Sequence, residues 1–286
     1  MFSYIPHELT FLKELLSYRV EALNPFFIFL NHLDSAPFYM LIATLVFTGL
    51  NSRIGLRFIL LIAITYFTNY FLKELLMQPR PITLDPSLGL VETTSQFGLP
   101  SGAAQAAMSF AVFLTHYYPN KIFKRVAIFY VVLACFTRIY IGMHFISDVI
   151  IGCLIGFALT HLYLKIIPKL EQGVQYLLNP FGWLWIGFML IGLYWVSAPL
   201  TYVTSGAVLC GTLIAEMLRR IYPPKVMTAI QNRFLNIVLG IIILIGVSYL
   251  KSILAGNLKG IILCVMPVAL LMIYYRPTLK VHSCII

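Results

Sequence analysis

Charged residues are scarce in this sequence of 286 residues: only 10% are Asp, Glu, Lys or Arg, whereas 60% are hydrophobic and the mean hydropathy is +0.90. Because soluble globular domains carry about 25% charged residues, this composition excludes that class. The sequence also lacks internal repeats and low-complexity runs. It predicts an all-α, polytopic membrane helix bundle.

Patterned cysteines are absent as well. The five cysteines are scattered, and four of them fall in apolar segments without the spacing of a disulfide framework or a metal site, namely Cys135, Cys153, Cys210 and Cys264. We expect these side chains to serve ordinary packing. No cleavable signal peptide is predicted, because several charged residues between positions 8 and 21 interrupt the first apolar segment.

Long apolar windows divide the chain into three parts. A membrane helix needs roughly 20 mostly apolar residues, and nine windows are predicted to span, at 36–50, 55–72, 101–118, 123–140, 145–167, 181–196, 200–218, 234–250 and 258–275. Residues 1–35 are predicted to lie at the interface, with an amphipathic helix over 7–21 and a short apolar piece over 24–33. We expect a catalytic core over 36–170 and additional transmembrane helices over 171–286.

The net charge of +10 reports topology rather than nucleic-acid binding, because the basic residues sit in short loops between spans and not on one soluble face. They collect in alternate loops, which the positive-inside rule places in the cytoplasm. This predicts an N-terminus outside and a C-terminus inside.

Three short polar islands interrupt the apolar sequence, and loop charge places all three on the extracytoplasmic side. The first runs from Lys73 to Pro81, the second is Pro-Ser-Gly-Ala at 100–103, and the third runs from Thr137 to Asp148. Together they supply three cations, a hydroxyl at a predicted helix start, and an imidazole four residues ahead of a carboxylate. This set of side chains suits phosphoryl chemistry.

The cations are Lys73, Arg80 and Arg138. Pro79 and Pro81 flank Arg80, so we expect extended backbone there rather than helix. A guanidinium matches two phosphate oxygens, whereas a lysine acts as a point charge. Taken alone, Lys73 is more simply explained as an interfacial anchor of its span.

Ser101 and Gly102 fit the start of a helix, where free backbone N–H groups favour an anion. His144 and Asp148 have the i, i+4 spacing of one helix face. The carboxylate can then accept from one ring nitrogen and direct the other toward a substrate. An imidazole oriented in this way can serve as a nucleophile or a base.

The three islands resemble the tripartite signature of the type 2 phosphatidic acid phosphatase (PAP2) superfamily, which also includes glucose-6-phosphatases, sphingosine-phosphate phosphatases and vanadium haloperoxidases. The resemblance covers residues 36–167. It implies that phosphoryl oxygens are bound by Lys73, Arg80, Arg138, Ser101 and the Gly102 backbone, that His144 attacks phosphorus, and that Asp148 orients His144. It also implies that no metal or other cofactor is needed, since fixed cations and helix-end amides neutralise the charge.

Two positions depart from this signature. Thr137 replaces the usual serine before the arginine and keeps a hydroxyl. Ala103 stands where the family has a histidine that protonates the leaving group, a function typically worth about 10²–10⁴-fold. Ala103 is either an engineered substitution, an impaired or specialised natural variant, or part of a site whose acid comes from elsewhere; His32 with Asp34, or Glu92, are candidates for that acid. A diphosphate substrate is another solution, because a departing lipid phosphate needs little protonation.

The predicted function is therefore a membrane phosphatase that hydrolyses a lipid phosphate or diphosphate through a phosphohistidine on the extracytoplasmic face. Its expected partners are this substrate and membrane lipids, with no nucleic acid; the sequence does not predict an oligomeric state. Three alternatives stay open: a sugar phosphatase like glucose-6-phosphatase, a lipid phosphotransferase, and a catalytically silent lipid-binding or transport protein.

Overall fold

The structure, a computed structural model, describes residues 3–33, 36–47, 51–93 and 96–177, with short helical stretches at 237–239, 241–242 and 245–246. Within these residues the regular secondary structure is helical apart from one isolated bridge between Pro79 and Phe97, and turns and loops join the helices. The all-α prediction is confirmed for this part. The predicted spans at 181–196, 200–218 and 258–275, and most of 234–250, lie outside the described residues, so nine transmembrane helices stay a prediction.

Eight α-helices precede residue 178, and they are α1 (Ile5–Ser17), α2 (Asn24–His32), α3 (Ala36–Leu45), α4 (Ser52–Leu76), α5 (Pro81–Leu84), α6 (Gly102–Tyr117), α7 (Lys121–Tyr140) and α8 (Ile146–Leu177). Short 3₁₀ turns at Glu21–Leu23 and Pro86–Leu88 join neighbouring helices. Asparagine side chains begin two of the long helices: Asn51 accepts from the N–H groups of Arg53 and Ile54, and Asn120 accepts from that of Ile122.

The helix ends agree with the sequence prediction for α2, α6 and α7 and differ for α1, α4 and the end of α8. Helix α8 continues past the predicted end at 167, with Pro168 inside it, because a single proline in an apolar helix removes one hydrogen bond without stopping the helix. Helix α1 stops at Ser17 rather than at 21, since the N–H groups of Tyr18 and Arg19 bond to the carbonyls of Leu15 and Leu16 and close the last turn.

Two helices are long and apolar enough to cross a membrane, over Arg53–Leu76 and Ile146–Lys169. Helix α7 also presents an apolar stripe at helical spacing to its surroundings, formed by Ile122, Val126, Phe129, Val132 and Phe136. In a membrane protein such a stripe faces lipid.

Helix α6 lies at the centre and packs against α4, α7 and α8. Its inward residues are small, among them Ala104, Ala106 and Ala107, which are fully buried. A polar network fixes it to α4: the Asn69 amide donates to Gln105 (2.9 Å) and to the carbonyl of Pro100 (3.1 Å). This network holds the start of α6 at one end of the bundle.

Candidate active site

The predicted site residues meet at one end of the bundle, where α4 and α7 end and α6 and α8 begin. Helix α4 ends at Met77, whose φ of 52° turns the chain sharply away from the helix axis. The next residues are extended, as predicted from the flanking prolines, with Arg80 at φ −82° and ψ 158°. The N–H of Gly98 bonds to the carbonyl of Gln78 (2.7 Å), which brings the two loops together.

His144 and Asp148 form a buried pair at the start of α8. His144 Nδ1 lies 3.2 Å from Asp148 Oδ2, and the N–H of Phe145 donates to the same oxygen at 3.0 Å. Asp148 is fully buried and His144 is nearly so. The i, i+4 spacing therefore places the carboxylate behind the ring, as the sequence predicts.

The second ring nitrogen of His144 faces Arg80. Arg80 Nη1 lies 3.1 Å from His144 Nε2. Because a guanidinium only donates and a carboxylate only accepts, Nε2 is the acceptor and Nδ1 carries the hydrogen. Burial, followed by the charges of Arg80, Lys73 and Arg138, holds the pKa of His144 well below its usual value. The imidazole is thus neutral at neutral pH, with its Nε2 lone pair directed into a cationic environment.

The cations of this site are held by uncharged groups. Lys73 Nζ donates to the carbonyls of Phe97 (2.8 Å) and Gly98 (3.0 Å), and Arg80 Nη1 also donates to the carbonyl of Met143 (3.2 Å). Burial, and next the charge of Arg138, lower the pKa of Arg80 to about 10. Since main-chain carbonyls do not cancel a positive charge, the arrangement favours an anion in the site.

Ser101 and Gly102 begin α6, as predicted. The N–H of Ser101 bonds to the carbonyl of Asp148 (2.9 Å), and its buried Oγ has no hydrogen-bond partner among the described residues. The first amides of a helix have no partner within the helix, so the start of α6 combines a hydroxyl with free donors. Ala103 follows, with its side chain buried.

Arg138 lies in the last turn of α7, and its charge depresses the pKa of both Arg80 and His144, which places it in the same electrostatic neighbourhood. Arg138 Nη1 donates to the side-chain oxygen of Asn31 in α2. Thr137 uses its hydroxyl on its own helix, where it bonds to the carbonyl of Leu133 (2.8 Å).

Three residues of the site were not predicted from the sequence: Gln78, Gly98 and Asn31. Gln78 Nε2 donates to Asp148 Oδ1 at 2.8 Å. A Cβ atom at Gly98 would lie 2.7 Å from Asp148 Oδ2, so only glycine fits without a shift. Gln78 lies inside the first polar island and Gly98 lies just before the second. This closeness to the islands is the feature of the sequence that could have identified them as site residues.

The substitute acids suggested by the sequence differ in position. His32 ends α2 directly after Asn31, the partner of Arg138. Glu92 is exposed on the loop after α5, and Asp34 lies outside the described residues. Among the described residues, no group of three or more His, Cys, Asp and Glu side chains is placed to hold a metal ion.

Comparisons with known proteins agree with the predicted family. The family model described as the PAP2 superfamily matches residues 54–172. Lipid phosphate phosphatase delta of Arabidopsis thaliana is 28% identical over 190 residues, which cover 60% of this chain and 45% of that protein. Undecaprenyl-diphosphatase of Sulfolobus acidocaldarius is 27% identical over 172 residues, covering 57% of this chain and 83% of that protein.

Among solved structures, a PAP2 type phosphatidylglycerolphosphate phosphatase from Bacillus subtilis is similar with a TM-score of 0.49 and 24% identity, covering 59% of this chain and 88% of that one. The chain spans less than half of the length of the plant relative. The family match contains all three polar islands and the helices α6, α7 and most of α8. The similarity to the PAP2 superfamily is therefore established for residues 54–172, the part of the chain that carries the predicted site.

Proposed function

We propose that this protein is a membrane phosphatase that removes a phosphoryl group from a lipid phosphate or diphosphate by way of a phosphohistidine on His144. The observation that carries the proposal is the state of the His144 ring. Nδ1 is fixed by the buried Asp148, while the neutral Nε2 faces Arg80 at 3.1 Å. A nucleophilic nitrogen thus points into a site that attracts a phosphate.

The reaction proceeds in two displacements. In the first, the lone pair of His144 Nε2 forms a bond to phosphorus, the bond from phosphorus to the leaving oxygen breaks, and its electron pair departs with that oxygen. In the second, water attacks phosphorus and releases one proton to solvent, the N–P bond breaks, and its electron pair returns to Nε2. Asp148 stabilises the positive charge that the ring carries between the two steps.

The charge of the transferring group is met by three cations and the start of α6. Arg80 and Arg138 offer guanidinium groups and Lys73 an ammonium, and each can exchange its present neutral acceptors for phosphate oxygens. The unpartnered Ser101 hydroxyl and the first amides of α6 supply further donors. Such fixed donors stabilise a phosphoryl transition state by position and charge.

A lipid is the substrate class that the surroundings of the site favour. Helices α1 and α2 lie next to the site and expose large apolar side chains, among them Phe11, Phe26 and Phe29. An exposed apolar surface of this kind suits the membrane boundary. A substrate anchored in the bilayer can then present its head group to His144 without leaving the membrane.

Ala103 favours an activated leaving group, provided that this position holds the general acid in the family, as the resemblance implies. An alanine methyl group gives no proton, and general acid catalysis is typically worth about 10²–10⁴-fold. A lipid diphosphate releases a lipid phosphate, which leaves without full protonation. The similarity to an undecaprenyl-diphosphatase supports this substrate. His32 is the alternative donor, because its neighbour Asn31 contacts Arg138.

Ala103 also favours a second candidate function, a protein that binds phospholipids without turnover. Removing the proton donor leaves the phosphate-binding groups and the His144–Asp148 pair in place. Such a protein would hold the lipid head group through Arg80, Lys73 and Arg138.

Transfer of labelled phosphate to the protein separates the two functions. Purified protein is mixed with a prenyl diphosphate carrying ³²P at the terminal phosphate and quenched within milliseconds to seconds. We expect an acid-labile, base-stable label on His144 together with release of inorganic phosphate. His144→Ala should abolish both, whereas His161→Ala, an exposed position on α8, should abolish neither. Lipid binding with neither label nor phosphate release would establish the binding protein instead.

A further inference from the structure

Asp148 is held from two sides, and one of its partners belongs to a chain of hydrogen bonds that reaches the N-terminal segment. Tyr4 Oη donates to Gln78 Oε1 at 2.7 Å, and Gln78 Nε2 donates to Asp148 Oδ1 at 2.8 Å. Gln78 and Asp148 are both fully buried. A buried amide with both ends bonded has a fixed orientation.

The direction of this chain follows from the chemistry of its members. A carboxylate only accepts, so the NH₂ group of Gln78 faces Asp148 and its oxygen faces Tyr4, which must donate. Asp148 therefore divides its two oxygens: Oδ1 receives the Gln78 amide, while Oδ2 receives the N–H of Phe145 and the Nδ1–H of His144. Each oxygen has its own donors, and the carboxylate cannot rotate without losing them.

Tyr4 immediately precedes α1, and α1 is docked against the start of α8. Glu8 accepts from the N–H (3.1 Å) and the hydroxyl (2.7 Å) of Ser147. Ile5 and Leu12 pack with the buried ring of Phe145. The position of α1 is thereby linked to residues 145–148 by direct contacts as well as through Gln78.

We propose that Gln78 is a positioning residue, which holds Asp148 so that His144 keeps its Nδ1–H tautomer, and that Tyr4 makes this arrangement depend on the docking of α1. The inference rests on the proposed function of His144 as the nucleophile. Gln78 acts on the reaction through Asp148. Loss of its amide leaves Oδ1 buried without a donor, and the carboxylate then turns away from the position that orients the ring.

A pair of substitutions at Gln78 tests the role of the amide. Gln78→Met keeps the length of the side chain and removes the donor, and we expect kcat to fall by about 10–100-fold, the range for residues that orient a catalytic group, with KM little changed. Gln78→Glu offers a donor only when its carboxyl group is protonated. Its activity relative to the unmodified protein should therefore rise as the pH is lowered, which a merely structural role does not predict.

The unmodified protein and the Gln78 variants share the same charged and titratable groups around Asp148 and residue 78. These groups are Tyr4 before α1, Glu8 of α1, Lys73 of α4, Arg80 and His144 of the loops, and Arg138 of α7. Because both proteins contain these groups, the ratio of the Gln78→Glu activity to the unmodified activity at each pH reports the titration of the new carboxyl group. A ratio that does not change with pH would overturn the proposal.

Tyr4→Phe tests the link to α1. The hydroxyl is lost while the ring is kept, so kcat should fall in the same direction as for Gln78→Met and by a smaller factor. Tyr18→Phe is the matched control in the same segment, since the Tyr18 side chain is 78% exposed. Equal effects of the two substitutions would overturn the role of Tyr4.

Hydrogen exchange gives a readout that does not need turnover. The N–H of Phe145 is bonded to Asp148 Oδ2, so a carboxylate released by Gln78→Met should increase amide exchange in the peptide 141–149. If the unmodified protein forms no label on His144 but this exchange increases, the proposed function fails and the positioning of Asp148 by Gln78 stands. If exchange is unchanged, the positioning role fails whatever the activity.

Discussion

Ala103 is the second residue of α6, and its buried methyl group lies at the helix end that also carries Ser101 and Gly102. The proposed phosphate-binding cations Arg80 and Lys73 and the His144–Asp148 pair do not involve this residue: Arg80 contacts His144, and His144 contacts Asp148. In the proposed mechanism, binding and attack on phosphorus therefore need no proton donor at position 103, and the step that depends on this residue is departure of the leaving group.

Ala103→His should raise the hydrolysis of a lipid monophosphate by about 10²–10⁴-fold, because it adds a general acid where an alkoxide leaves. The gain for a prenyl diphosphate should be much smaller, since a phosphate leaves without such help. The measurement is phosphate release from both substrates by equal amounts of folded protein. Ala103→Gln controls for the added volume. Equal gains on the two substrates, or equal effects of His and Gln, would contradict a missing acid at this position.

The sequence predicted the charged residues of the candidate site together with Ser101 and Gly102, and it missed Gln78, Gly98 and Asn31. Arg80 and His144 stand out because cations and imidazoles are rare in an apolar chain. The i, i+4 spacing of His144 and Asp148 also predicts that these two side chains lie on one helix face. Gln78 and Asn31 carry no charge, and their partners Asp148 and Arg138 lie 70 and 107 residues away in the sequence. Such contacts depend on how the helices pack, which residue types alone do not specify.

Helices α6 and α8 approach each other closely at two glycines of α8. A Cβ atom at Gly152 would lie 2.6 Å from the carbonyl oxygen of Ser101, and one at Gly156 would lie 2.4 Å from that of Gln105. The small-xxx-small spacing of these two glycines is typical of close helix packing in membranes. This contact sets the distance between the start of α6 and the His144–Asp148 pair.

Gly156→Ala should lower the free energy of unfolding by about 1–3 kcal/mol, the usual effect of overpacking, because the new methyl group meets backbone that must move. This value is the net change, because the intrinsic preference of alanine for helix already offsets about 1 kcal/mol of the cost of the clash. Unfolding in detergent, followed by circular dichroism, gives the value. Ala158→Val adds methyl groups at an exposed position of the same helix and should be nearly neutral. A neutral Gly156→Ala would contradict the close approach.

At the scale of elements, hydrophobic periodicity predicted α6 and α7 to within two residues at each end. It underestimated α8, because the apolar window ends at 167 whereas the helix continues through Pro168 to Leu177. It also placed α1 at the interface, where the structure adds contacts with the protein through Leu12 and Glu8. Amphipathicity shows that one face of a helix is apolar, and the apolar partner of that face is set by the tertiary fold.

The whole molecule places its polar islands at one end of the described bundle. Lys73 lies in the last turn of α4, Arg138 in the last turn of α7, Ser101 before α6 and Asp148 in the first turn of α8. The basic residues of the loop between α6 and α7 lie at the opposite ends of those helices. The positive-inside rule then predicts that the site faces outward and that this loop faces the cytoplasm.

Labelling of single cysteines tests this orientation in intact cells. The five native cysteines are first replaced by alanine, and Ser87→Cys or Lys121→Cys is then introduced at positions that are both exposed. Ser87 lies on the loop beside the site and Lys121 begins α7. A membrane-impermeant maleimide should label the cysteine at 87 directly and the cysteine at 121 only after permeabilisation, because α6 separates the two loops across the bilayer. The reverse pattern would place the site in the cytoplasm, and direct labelling at both positions would show that α6 does not span the membrane.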